Sequence, residues 1–353
     1  MKHVLSLVIP ILLTVFLVSS CIRRPPAEHV TLKPLHIWEL EGLTNSNSPN
    51  CVTVYNNTIY YVRETPESFL VRRMGLEGTL LSEFAIPLGK GPGEALHSMG
   101  LAIDQSGIYF CDLHLKRISR FDFEGRYQDC MDFGPESGII LYFALTESFI
   151  YTTTMDSVFL GKIDKASGRQ TAFIRREGPT ETKIGGTFTG GPVKYDPFNG
   201  EIYMGLAGKP YTILRFDKDL NPLGRLTYPL EKEFKPIRVY PGPRPAGDFT
   251  VLSMAVTEEY LYAPHISARY QMKENRPAAL TFSPEIFRFS KENFRVDRRF
   301  SIQGLKSMKG EFSVLYADDS RLIVLASGTG EWVSQLYPES PPEYTNTVLI
   351  LSL

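Results

Sequence analysis

At 353 residues the chain is too long for one small domain and suits one large all-β body. Hydrophobic residues make up 43% and aromatics 12%, enough for a substantial core, while 28 Gly and 25 Pro favour many short strands joined by tight turns. A net charge of −1, with no long run of like charge, excludes the electrostatic footprint of a nucleic-acid partner.

The chain opens with Lys2 and His3, then runs from Val4 to Val18 with only Ser6, Pro10 and Thr14 breaking an apolar stretch. That is short for a transmembrane span, which takes ~20 residues. Val18-Ser19-Ser20-Cys21 follows, two small residues and then a cysteine. This ending resembles a bacterial lipobox. The resemblance implies that residues 1–20 are a lipoprotein signal peptide and that Cys21 becomes the lipidated, palmitate-bearing first residue of the mature chain. Two acyl chains, each buried methylene contributing ~0.8 kcal/mol, make such an attachment to a membrane effectively permanent. Residues 21–34 carry Arg23-Arg24-Pro25-Pro26 and read as a proline-stiffened tether. Surface-exported lipoproteins of the Bacteroidota often carry acidic residues here. Arg23 and Arg24 depart from that pattern, so the expected position is the cell envelope, facing the periplasm.

Three further cysteines, Cys51, Cys111 and Cys130, cannot all pair. They read as free thiols acting as small apolar residues, and no Cys/His spacing fits zinc.

From residue 35 to the end the chain repeats itself. An apolar-Tyr-apolar run recurs at Ile59-Tyr60-Tyr61, Ile108-Tyr109-Phe110, Ile150-Tyr151-Thr152, Ile202-Tyr203-Met204 and Leu261-Tyr262-Ala263, with a weaker copy at Leu322-Ile323-Val324. Turn residues precede most copies, for example Gln105-Ser106-Gly107 and Asp318-Asp319-Ser320. An alternating strand follows each copy, as in Leu70 to Gly78, Arg117 to Gly125, Leu160 to Gly168, Ile213 to Asn221, Ile286 to Asn293 and Val348 to Leu353. A closing strand follows most of these, as in Leu80 to Ile86 and Tyr127 to Phe133. Gly91-Pro92-Gly93-Glu94 is echoed at Gly178 to Glu181, Gly242 to Phe249 and Gly310 to Phe312, each read as a loop before the next innermost strand. Four strands per unit in six units predict a six-bladed β-propeller over residues 35–353. The last unit lacks a fourth strand and His36 to Leu40 is a spare one, so pairing the N-terminal strand with the last blade closes the ring and removes an open edge.

Gly89 to Gly125 resembles an NHL repeat, through its glycine-rich loop, Gly107-Ile108-Tyr109, Arg117-Ile118 and Phe121-Asp122. With the lipobox, the mature chain resembles the six-bladed TolB-like or NHL-like propeller lipoproteins of the Bacteroidota. The resemblance implies fold and location and little chemistry.

No HExxH, GxSxG or Ser/His motif is present. Gly89-Lys90-Gly91-Pro92-Gly93 is no phosphate cradle, because Pro92 removes a donor and a strand follows. Ends of inner strands converge at a propeller's channel mouth, which makes Arg63, His97, Asp112, His114 and His265 the candidate ligand-binding residues. The expectation is a binding or scaffold domain that needs no cofactor and recognises a protein, small-molecule or glycan partner. The alternative is a calcium-dependent hydrolase, by likeness to lactonase-type propellers. Calcium takes six to eight oxygens, and Asn50, Glu136, Asp248 and Glu311 are the candidates to converge on it from separate blades.

Overall fold

A computed structural model describes residues 27–43, 50–133, 138–154, 158–175, 190–206, 211–228, 236–239, 242–245, 253–266, 270–273, 276–279, 283–339 and 342–353. Two strands come first, β1 (Glu28–Leu32) and β2 (Pro34–Glu39). Blade 1 is β3 (Val52–Tyr55), β4 (Thr58–Glu64), β5 (Ser68–Met74) and β6 (Leu80–Pro87). Blade 2 is β7 (Ser98–Asp104), β8 (Gly107–Asp112), β9 (Arg117–Phe121) and β10 (Tyr127–Asp132). Blade 3 is β11 (Ile140–Leu145), β12 (Phe149–Thr154), β13 (Val158–Asp164) and β14 (Gln170–Arg175). Blade 4 is β15 (Gly190–Tyr195), β16 (Ile202–Leu206), β17 (Tyr211–Phe216) and β18 (Pro222–Tyr228). A hairpin, β19 (Pro236–Val239) and β20 (Gly242–Pro245), leads to blade 5. That blade holds β21 (Ala255–Val256) and β22 (Tyr260–Ile266), then an inserted hairpin β23 (Tyr270–Lys273) and β24 (Arg276–Ala279), then β25 (Pro284–Ser290) and β26 (Val296–Ile302). Blade 6 is β27 (Met308–Ala317), β28 (Arg321–Gly330) and β29 (Thr345–Ser352), with the short helix α1 (Glu331–Leu336) after β28.

The protein is therefore a six-bladed β-propeller. All six copies of the apolar-Tyr-apolar run are second strands, and their first residues, Ile59, Ile108, Ile150, Ile202, Leu261 and Leu322, are completely buried. The blades are radial, so each face of a blade packs on its neighbour. Five apolar clusters cover all six junctions. Tyrosine hydroxyls add polar links across two of them: Tyr151 donates to the Lys218 carbonyl of the next blade at 2.7 Å, and Tyr211 to that of Pro264 at 3.0 Å. In blades 2 to 6 the first two strands are joined by a turn that a short polar side chain closes, whereas blade 1 turns through Asn56 and Asn57, both at positive φ. The Asp104 carboxylate accepts from Ser106 N–H, Thr146 from Phe149, Asp196 from Phe198, Thr257 from Tyr260 and Asp318 from Ser320.

β2 lies antiparallel on β29, from Pro34 opposite Leu351 to Glu39 opposite Thr347, and supplies the fourth strand that blade 6 lacks. Trp38 extends the closure to blade 1 by donating Nε1–H to the Leu76 carbonyl at 3.0 Å. β1 was unforeseen. It falls in the stretch read as tether, yet it runs parallel to β26 as a fifth strand of blade 5, with Arg298 on Glu28 at 2.7 Å and Thr31 on Ser301 at 2.9 Å.

Two of the loop echoes are not loops. Gly242–Pro245 is strand β20, and Gly310 to Phe312 lies inside β27; Gly178 to Glu181 is outside the described residues. The original, Gly89 to Glu94, is the turn between blades 1 and 2. Gly93 has φ +76°, and at Gly89 a Cβ would come within 2.1 Å of the Glu94 carboxylate, which would have to turn aside. Buried Arg117 holds this turn by donating to the Gly91 and Glu94 carbonyls, each at 2.7 Å.

Cys51, Cys111 and Cys130 are all free thiols. The first two are buried, and Cys130 is half-buried on β10, separated from Cys111 by β9. Burial raises the Cys51 thiol to about 12, and the Ser98 hydroxyl at 3.1 Å offsets this only in part.

Candidate functional site

The sequence-selected residues do not form one site. His97, Asp112 and His114 come together in blade 2, where the two imidazoles stack at 4.9 Å and 21°. Asp112 is buried and serves the backbone. Its Oδ2 accepts from Leu96 N–H at 2.6 Å and His97 N–H at 3.3 Å, and its Oδ1 accepts from Leu115 N–H at 2.8 Å. Arg63 packs over Gly42. His265 is buried in blade 5, stacked on Phe287 at 4.4 Å, with Nδ1 3.5 Å from Glu285 Oε2. Burial alone would raise the Glu285 carboxyl; hydrogen bonds from His265 and Arg299 outweigh it and hold the group below its ordinary value.

The proposed calcium ligands fare similarly. Glu136 and Asp248 lie outside the described residues. Asn50 borders the channel and donates Nδ2–H to the Leu141 carbonyl at 3.0 Å, a link from blade 1 to blade 3. Glu311 sits on β27, where its charge adds to the burial that raises Tyr142 to about 12. Calcium takes six to eight oxygens, so Asn50 and Glu311 alone would not complete its shell. Among the described residues no group of three or more His, Cys, Asp or Glu side chains is placed to hold a metal ion.

Among the described residues, two connected concave spaces lie on the axis. An inner chamber of about 220 Å³ is walled by the first strands of five blades and by Ser253 and Met254, just before that of blade 5. It opens into a vestibule of about 670 Å³ at the end that carries the turns between first and second strands, a size within the ~300–1,000 Å³ of ligand pockets. Tyr55, Tyr195, Phe198 and Tyr316 line the vestibule, and Asp104, Glu147, Glu258, Asp318 and Asp319 stand around it. None of Arg63, His97, Asp112, His114 and His265 borders either space. They lie towards the opposite ends of the strands.

The two spaces share a collar formed by Val54, Ile103, Leu145, Lys194, Tyr195 and Leu315. One member is charged. Strand pairing shows how unusual it is: opposite the second residue of each repeated run stand Thr53, Ala102, Ala144, Lys194, Ala255 and Tyr316. Lys194 is thus the lone cation at a position otherwise held by small or uncharged residues. It is half-buried and makes no hydrogen bond or ion pair among the described residues. Burial lowers its pKa from 10.5, and the nearby Asp196 carboxylate opposes that without cancelling it. Asp196 is itself engaged, being completely buried and ion-paired with Lys291 of blade 5. The sequence signal for Lys194 was its departure from the repeat, the same signal that drew attention to His97 and His114. A register shift between Gly190 and Val193 hid it by blurring the count along β15.

No family model matches the chain, and no curated protein matches it. Solved structures do. A member of the DUF4221 family from Bacteroides vulgatus is similar with a TM-score of 0.59 at 12% identity, over 92% of this chain and 96% of that one. A Bacteroides fragilis protein named for expected export gives a TM-score of 0.55 at 11% identity, over 92% and 98%. The likeness is one of fold. It spans nearly the whole length of each chain, as a complete propeller requires.

Proposed function

We propose that this propeller is a binding protein of the cell envelope, tethered to a membrane through lipid on Cys21, that takes a ligand in its vestibule. One observation carries the reading: the vestibule is a ligand-sized concavity to which all six blades contribute aromatic, apolar and charged side chains. The Val18-Ser19-Ser20-Cys21 ending supports the anchor. The hydrolase alternative lacks a convergent donor set among the described residues.

Two measurements test the two halves. Cells expressing the chain are labelled with a palmitate analogue; label is expected on the wild type and absent from Cys21→Ser, and equal labelling of both overturns the anchor. A small-molecule panel is screened by thermal shift against the wild type and against Leu315→Trp, which fills the collar. A ligand at about 100 times its Kd stabilises by ~2.7 kcal/mol. Hits are expected to lose their shift in the variant. Hits that shift both proteins equally overturn the vestibule.

A further inference from the structure

The collar is where the molecule departs most clearly from its own repeat. Lys194 lines both spaces beside Val54, Ile103, Leu145 and Leu315, is partly removed from water and, among the described residues, forms no ion pair, the Asp196 carboxylate offsetting its burial only in part. Such an arrangement is unfavourable unless something else supplies the countercharge. The neighbouring carboxylates do not pair with Lys194. Asp196 is committed to Lys291, Asp104 to Lys165 and Asp318 to Arg321. Glu147, Glu258 and Asp319 are exposed at the rim.

We propose that Lys194 is the anion-recognising residue of the vestibule and that the ligand is a monocarboxylate with an apolar or aromatic body. This rests on the vestibule being the binding site. The carboxylate reaches the collar and accepts hydrogen bonds from the Lys194 ammonium. The body occupies the space between Tyr55, Tyr195, Phe198 and Tyr316. In surroundings of low polarity a charge-assisted hydrogen bond is stronger than in water, so this one pair discriminates strongly between a carboxylate and its neutral amide. The rim sets the other limit. Glu147, Glu258 and Asp319, one each from blades 3, 5 and 6, repel a second negative charge on the ligand. They tolerate a neutral outer end and favour a cationic one. A phosphate monoester or a dicarboxylate therefore fits less well than a single carboxylate.

Calorimetric titration of the mature chain with 4-phenylbutyrate, 4-phenylbutyramide and phenylphosphonate tests this. The carboxylate is expected to bind about tenfold or more tighter than the amide. Lys194→Met is expected to erase that difference, chiefly by weakening the carboxylate, and Lys194→Arg to keep most of it. Lys194→Met places an apolar side chain in an apolar ring, and a melting temperature no lower than the wild type's shows that it folds. Equal binding of acid and amide to the wild type, with both lost in Leu315→Trp, overturns the role of Lys194 and leaves the vestibule standing. Tighter binding of phenylphosphonate than of the carboxylate overturns the ligand class. No binding of any probe, or binding that survives Leu315→Trp, overturns the inference together with the vestibule.

Discussion

Lys194 also makes a prediction about stability, independent of any ligand. A lysine whose folded pKa lies below 10.5 lowers stability at every pH below that folded value. The penalty fades as pH rises from the folded value towards 10.5, because the unfolded chain then holds a proton the folded one has shed. Lys194→Met is therefore expected to stabilise the apo protein at pH 7, by about 1–3 kcal/mol if the group behaves as other unpartnered buried polar groups do. The gain should shrink as the buffer is raised towards pH 10.5. Tyr142, Tyr203 and Tyr211, whose hydroxyls burial raises, contribute an opposite fall in stability at high pH. They act on variant and wild type alike, so the difference between two melting curves isolates Lys194. A variant less stable than the wild type at pH 7 would refute the unpartnered reading. Residues of this kind are hard to pick from a sequence. His97, Asp112 and His114 stood out by type, yet Asp112 is occupied with three backbone N–H groups, which no residue count reveals.

At the level of elements, strands were legible and inserted pieces were not. The apolar-Tyr-apolar runs mark second strands because that strand is covered on both faces by neighbouring blades, so its composition is constrained at every residue. β1, β20 and the hairpin of β23 and β24 lie outside the four-strand repeat: β1 falls in the stretch read as tether, β20 in one read as a loop, and the β23–β24 hairpin carries no repeat marker. What joins the elements at the vestibule end is a pair of equivalent staples. Lys165, in the turn after the third strand of blade 3, meets Asp104 of blade 2, and Lys291 of blade 5 meets Asp196 of blade 4 in the same way. Each ammonium also lies over an aromatic ring, Tyr109 at 4.8 Å and Phe198 at 5.1 Å. The second staple is the more deeply buried, and removing one partner of a buried pair costs ~3–5 kcal/mol. Asp196→Asn keeps the acceptor for Phe198 N–H and deletes only the charge. It is expected to lose stability on that scale in denaturant unfolding. Adding Lys291→Met should recover part of the loss, since no orphan ammonium remains. Additive losses in the double variant would show that the two side chains are not coupled.

For the whole molecule, the question is what keeps six similar sheets in a ring. Every junction is apolar, but a ring of single-chain blades has one seam, and here β2 spans it by hydrogen bonding to β29 while Trp38 reaches blade 1. β1 does a different job, since blade 5 already has four strands without it. The two strands can be separated experimentally. Deleting residues 21–32 removes β1 and leaves the seam closed, so the chain should stay monomeric with a small fall in melting temperature. Deleting residues 21–39 also removes β2, leaves blade 6 with three strands and exposes the backbone edge of β29. An uncovered edge is a template for pairing with another chain, so this form is expected to self-associate and to lose its single sharp unfolding transition. A synthetic peptide of residues 30–40 added in trans should restore the monomer by adding the missing strand. Light scattering after size exclusion, with thermal unfolding, reads all three states. If the longer deletion remained a monomer as stable as the shorter one, blade-to-blade packing alone would hold the ring, and β2 would be ornamental to the fold.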